Sequence, residues 1–153
     1  MGMKQILLIL AVVLVGCGEK ATIADPFVEK AIRKSLEKSE GQLTAADLEK
    51  VTSLRLPFPQ ITDVGLKELA KLQNLEELYL YRTQITDAGL KEVAKLQGLE
   101  QLFLDYTKVT DDGLKNLTNL QNLHYLSLHD TKITDAGLAE LKKALPNCTI
   151  LVL

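Results

Sequence analysis

The sequence predicts an α/β solenoid in which short parallel strands line a concave face and helices form the convex one. Three observations lead there. Four consecutive segments repeat at a period of 24 residues. Within each segment the apolar pattern changes from alternation, which marks a strand, to a spacing of three and four, which marks a helix. One strand and one helix cannot bury an apolar face alone, so neighbouring units must stack into a continuous core. At 153 residues the chain is long enough for one domain of this kind.

The first element is not part of the solenoid. Lys4 is the only charge before Glu19, and Ile6 to Val15 is an unbroken apolar run of ten residues. A membrane-spanning helix needs roughly 20. A run of ten behind a cation fits a signal-peptide core. It ends in Leu14-Val15-Gly16-Cys17. These four residues resemble the lipobox of bacterial lipoproteins. The resemblance implies that residues 1–16 are a signal peptide and that Cys17 becomes the acylated amino terminus, anchored in a membrane of the cell envelope. Gly18 after that Cys resembles the pattern that sorts such proteins to an outer membrane, where the cell has one. Two or three acyl chains anchor firmly, because each buried CH₂ contributes about 0.8 kcal/mol. Residues 17–24 read as a short linker. The seven residues from Gly18 to Ala24 reach at most about 25 Å, at roughly 3.5 Å each.

Residues 25–50 read as a helical cap over the first open turn. Asp25-Pro26 is an N-cap followed by the first helical residue, and Phe27, Ala31, Ile32 and Leu36 suggest an apolar stripe. Gly41 is expected to stop this helix, and Thr44 with Asp47 three residues later opens a second. The repeats follow over residues 51–153. Residues 51–74 read VTSLRLPFPQITDVGLKELAKLQN, 75–98 LEELYLYRTQITDAGLKEVAKLQG, and 99–122 LEQLFLDYTKVTDDGLKNLTNLQN. Residues 123–147, LHYLSLHDTKITDAGLAELKKALPN, are one residue longer, and CTILVL over 148–153 begins a fifth unit.

Alternation places Leu54/Leu56, Leu78/Leu80, Leu102/Leu104 and Leu126/Leu128 inward. In the second half of the 75–98 unit, Leu90, Val93 and Leu96 lie on one helical face, and Thr86 or Asp87 can cap its start. The recurring Gly65, Gly89, Gly113 and Gly137 imply close packing against a neighbouring turn. In the partial unit Cys148 takes the first apolar position as a buried thiol, and Ile150 and Val152 flank Leu151 and Leu153 on an exposed edge strand.

These units resemble leucine-rich repeats of the LxxLxLxx(N/T/C)xI kind. Thr83, Thr107 and Thr131 stand where many such families carry an Asn that bonds adjacent turns. The run from Asp25 to Leu54 is similar to the helical cap before the repeats of internalin-like bacterial proteins. These likenesses imply a capped leucine-rich-repeat solenoid and do not carry over a receptor.

The function expected is binding, not catalysis. A net charge of −2 offers no basic excess for nucleic acid. There is no phosphate loop, nucleophile elbow or metal-ligand spacing, so no catalytic, cofactor or metal site is expected. His129 should neighbour Asp105 one strand away, as a solvated contact. The outward strand positions and the turn after each strand carry the signal. All four Tyr of the protein, with Phe58 and Phe103, fall there, in a frame holding Arg55 and Arg82. Core packing does not need them outward, and exposed aromatics with Arg mark binding surfaces. The candidate partner-binding residues are Arg55, Tyr79, Tyr81, Arg82, Phe103, Asp105, Tyr106, Tyr125 and His129, and the expected partner is a protein or peptide. Alternatives are an envelope or assembly component that self-associates through the C-terminal edge strand, and a binder of glycan or envelope polymer.

Overall fold

The computed structural model describes residues 18–56 and 59–152. The expected signal peptide, Cys17, Pro57, Phe58 and Leu153 lie outside the described residues. Helix α1 (Pro26–Ser35) starts where expected: the Asp25 carboxylate accepts the backbone N–H of Phe27 at 2.9 Å and of Val28 at 3.0 Å. Its apolar stripe keeps the expected Ala31 and Ile32, with Leu36 packed against the core, but Val28 takes the place expected of Phe27. Val28, Ala31 and Ile32 are buried, at helical i, i+3, i+4 spacing, while Phe27 is 39 % exposed. The helix also ends before Gly41, at Leu36, because Glu37 turns into the left-handed region with φ 52°. Helix α2 (Ala45–Leu48) carries the expected reciprocal cap, Thr44 N–H to Asp47 at 3.0 Å and Asp47 N–H to Thr44 at 3.2 Å. Lys38 donates to the same Asp47 carboxylate at 2.7 Å, and together these donors hold it well below the usual carboxylate range.

The expected linker is not free chain. Lys20 forms an antiparallel bridge with Thr44, Ala45 N–H donates to Glu19 O at 2.9 Å, Ala21 N–H donates to Leu43 O at 2.9 Å, and Ile23 is buried. The stretch docks because its amides find backbone acceptors and donors on the cap and its one large apolar side chain finds the core.

Strands β1 (Ser53–Arg55), β2 (Glu77–Tyr79), β3 (Gln101–Phe103), β4 (Tyr125–Ser127) and β5 (Thr149–Leu151) form one parallel sheet in sequence order. The register is Leu54 to Leu78 to Leu102 to Leu126 to Ile150, a constant offset of 24 residues. All eight expected inward leucines are buried. The convex side is built by α3 (Asp63–Leu66) with a 3₁₀ turn (Lys67–Lys71), α4 (Asp87–Val93), α5 (Asp111–Leu117) and α6 (Asp135–Ala144). The 24-residue offset corrects the last unit. In the structure the fourth unit spans 24 residues, 123–146, and has no extra residue before β5, although α6 has ten residues against seven in α4 and α5. Ile150 therefore points inward, and Leu151 outward, 38 % exposed. Cys148 is half-buried against the core, and desolvation pushes its thiol up to about 11.

Contacts between turns explain the Thr-Asp-x-Gly motif. Thr86, Thr110 and Thr134 cap their own helices. The neighbouring Asp does not; it reaches into the following turn. Asp63 accepts Thr86 N–H at 2.8 Å and its hydroxyl at 2.7 Å; Asp87 holds Thr110 at 2.7 and 2.7 Å, and Asp111 holds Thr134 at 2.8 and 2.6 Å. These Thr134 bonds hold the Asp111 carboxyl below its ordinary pKa. Each carboxylate lies where a Cβ on the Gly two residues past that Thr's neighbour would sit: Asp63 at Gly89, Asp87 at Gly113, Asp111 at Gly137. Thr83, Thr107 and Thr131, by contrast, donate within their own turns, to the carbonyls of Leu80 at 2.6 Å, Leu104 at 2.6 Å and Leu128 at 2.8 Å, and do not bridge turns. An alanine in place of a helical glycine ordinarily stabilises by about 1 kcal/mol. At Gly113 the sign inverts, because the new methyl meets Asp87. Gly113→Ala should lower the urea midpoint, and an increase would mean that the ladder yields without loss.

Candidate functional site

Alternation along the strands and a fixed 24-residue offset place side chains from successive turns in rows across the concave sheet. The row Arg55, Tyr79, Phe103, Ser127 forms a spine. The Tyr79 and Phe103 rings stack with centroids 4.4 Å apart and planes within 6°, close to the roughly 4.8 Å strand spacing. Arg55 lies over Tyr79, its guanidinium 4.8 Å from the ring centroid. Tyr125, from the row Ser53, Glu77, Gln101, Tyr125, closes on Phe103 at 5.2 Å, tilted by 42°. Four consecutive turns thus contribute one continuous stack, Arg55–Tyr79–Phe103–Tyr125. The stack makes its rings half-buried, although none is in the core. Tyr79 Oη donates to Glu77 at 3.1 Å, and Ser53 Oγ donates to the same oxygen at 3.0 Å. Burial, aided by the Glu77 contact, raises the Tyr79 phenol above its ordinary pKa.

The turns after the strands form a rim. Arg55 reaches it, donating from Nη1 to Tyr81 Oη at 3.1 Å. Arg82 stands over the Tyr106 ring at 5.1 Å, and Tyr106 is 51 % exposed. Arg82, Tyr106 and Asp130 occupy equivalent positions, and all three have left-handed backbones, φ 58°, 58° and 51°. That conformation costs about 1 kcal/mol or more for a residue with a Cβ, so the fold alone would favour glycine or asparagine there. Tyr81, Arg82, Asp105, Tyr106, Ser127 and His129 line an open pocket of about 360 Å³. At its floor Asp105 Oδ1 accepts the Ser127 hydroxyl at 2.5 Å and the His129 backbone N–H at 3.0 Å. The His129 ring is 3.9 Å from that oxygen, too far for a hydrogen bond. Ser127, outward by register, is nevertheless buried beneath Asp105.

All nine candidate partner-binding residues are therefore brought to one face, seven of them through the two arginine–aromatic clusters and Asp105 and His129 through the pocket floor. Sequence reasoning did not single out Glu77 and Ser127, which fix Tyr79 and Asp105. Both stood at outward strand positions, which was the available signal. Among the described residues no group of three or more His, Cys, Asp or Glu could hold a metal, and no helix is long and apolar enough to cross a membrane.

A family profile described as "Leucine Rich repeat" matches residues 71–94 and 119–142. No curated protein sequence matches the chain. Among solved structures, the actin-binding site 2 of leiomodin-1 is 19 % identical, covering 87 % of this chain and 79 % of that one, with a TM-score of 0.57. An internalin (inlF) of Listeria monocytogenes is also 19 % identical and covers 84 % of this chain, with a TM-score of 0.50. The match spans about half of that internalin, 51 %. At this identity the likeness is one of fold. The fold is a leucine-rich-repeat solenoid.

Proposed function

We propose that this leucine-rich-repeat protein is a membrane-tethered binding module: lipid on Cys17 holds it in the bacterial cell envelope, and the concave groove captures a protein or peptide. The observation that carries the groove reading is the Arg55–Tyr79–Phe103–Tyr125 stack, an aromatic spine outside the core that spans four turns. Solenoids use such concave faces for recognition. The same stack favours protein over glycan. Sugars pack on free aromatic faces, but the faces of Tyr79 and Phe103 are covered by each other and by Arg55 and Tyr125. What the groove meets is ring edges, whose positive hydrogens suit carbonyls, carboxylates and apolar side chains. The reading assigns no reaction.

A second reading, association through β5, is favoured by Leu151 and the adjoining Val152, 38 % and 37 % exposed at a strand that has one neighbour among the described residues. Sedimentation over a range of concentrations tests it. The tether reading rests on the lipobox resemblance. Cys17→Ala should move the protein to the soluble fraction or leave it unprocessed, and mass spectrometry of the wild-type amino-terminal peptide should find acylated Cys17. An unmodified, full-length amino terminus would sink the tether. The groove reading is tested by crosslinking in the native envelope, followed by capture of the identified partner with groove and convex variants.

A further inference from the structure

The charges flanking the aromatic spine are sorted by side. Where the chain enters the strands, Glu76 and Glu100 are exposed and Glu77 is half-exposed. Where it leaves β1 and β2, Arg55 and Arg82 are exposed, each held over a tyrosine ring. Among the described residues none of these five forms an ion pair. On the convex side Lys71, Lys95 and Lys115 each pair with an acid three residues earlier, while Lys67, Lys91, Lys142 and Lys143 are in no ion pair among the described residues. What sets the groove arginines apart from these lysines is that their heads are held in place by aromatic rings. Arg55 and Arg82 are fixed over ring faces with most of their N–H donors free, so little side-chain entropy remains to be lost when they bind a carboxylate. Arg82 also sits in a left-handed turn that a smaller residue would occupy at less strain. Asp105 and Asp130 lie on the same lip in later turns, so its positive stretch is confined to the first two turns.

We infer that the groove carries opposite charge on its two lips and takes a protein segment whose apolar stripe is flanked by carboxylates on one side and amines on the other. This rests on the groove being the binding surface. Reversing such a segment exchanges its flanks, so the two lips also fix the direction in which it lies. Carboxylates meet Arg55 and Arg82, where the planar fork admits paired hydrogen bonds; amines meet Glu76, Glu77 and Glu100; apolar side chains lie along the edges of Tyr79, Phe103 and Tyr125.

The test titrates the ¹⁵N-labelled protein separately with acetylated, amidated hexaglutamate and hexalysine. Hexaglutamate should shift the Nε–Hε signals of Arg55 and Arg82 and the amides of Tyr81 and Tyr106. Hexalysine should shift the amides of Glu76, Glu77 and Glu100. Arg55→Gln with Arg82→Gln should weaken hexaglutamate by about tenfold and leave hexalysine unchanged, with Arg55→Lys and Arg82→Lys recovering part of the loss. A dispersed amide spectrum confirms that each variant is folded. The inference is overturned if both peptides map to one lip, if hexaglutamate maps to Lys67 and Lys91 on the helices, or if the arginine variants bind it as wild type. Should Tyr79 and Phe103 still prove essential for partner capture, the groove reading survives and only the charge sorting falls.

Discussion

Tyr79→Ala combined with Phe103→Ala is expected to abolish partner capture while the protein stays folded. Both rings are outward and belong to the stack that spans the groove. Central aromatics at an interface typically contribute about 2 kcal/mol or more each on truncation. Two of them amount to roughly a thousandfold in affinity, at about 1.4 kcal/mol per tenfold, less any coupling between neighbours. The stack also supports the fold: a pair of rings in contact is worth about 0.5–1.5 kcal/mol beyond its area. For a chain of this size that lowers the melting temperature by only a few degrees, at roughly 2–4 °C per kcal/mol. Lys91→Ala with Lys95→Ala removes two exposed charges from the convex side and should leave capture intact. Calorimetric titration against the identified partner, with melting curves of each variant, separates loss of binding from loss of fold. Capture that survives the aromatic pair and disappears with the lysine pair would move the site to the helices.

Leu104→Ala is expected to destabilise the protein by roughly 2–5 kcal/mol, the range for a large-to-small change in a packed core. Leu104 is completely buried, and its N–H donates to Ser127 O at 2.9 Å in the next turn. Its predecessor Phe103 is outward, so Phe103→Ala loses ring contacts but opens no cavity. It should destabilise by about 1 kcal/mol. A solenoid is stabilised by contacts between neighbouring turns, so a cavity at Leu104 also weakens the turns on either side. Urea unfolding of both variants measures the difference. Equal midpoints for the two would contradict the alternation on which the groove is built.

Both expectations follow from features that the sequence carries openly. Residues two apart in a strand face the same way, and residues 24 apart stack in register, so Leu104 inward and Tyr79 beside Phe103 are consequences of two spacings. The Asp25 N-cap and the Thr44–Asp47 cap were legible for the same reason, being interactions over three residues or fewer. The clustering of aromatics and arginines on one face was legible as well, since repeat position alone assigns the face.

What the tertiary structure decided are contacts between turns whose chemistry has several local solutions. Asp87 could have capped its own helix; instead it bonds Thr110 and lies where a side chain on Gly113 would have stood, which explains why that position is glycine. Gly18 to Ala24 has no pattern of its own, and its bridge to Thr44 depends on the cap being folded beside it. Strand β5 could have paired one residue later, at the offset of 25 that the apolar pattern of the last unit suggested. Ladder hydrogen bonds to β4 held the register, which turned Ile150 in and Leu151 out. Ring orientation was the last of these. Repeat position placed Tyr79 and Phe103 side by side, but only packing between turns determined that they stack face to face, leaving edges toward the groove and a guanidinium over the end of the stack. Local spacing determines which way a side chain points. What it touches there is settled by the neighbouring turn, because steric fit and hydrogen-bond geometry across that gap involve residues more than twenty positions away.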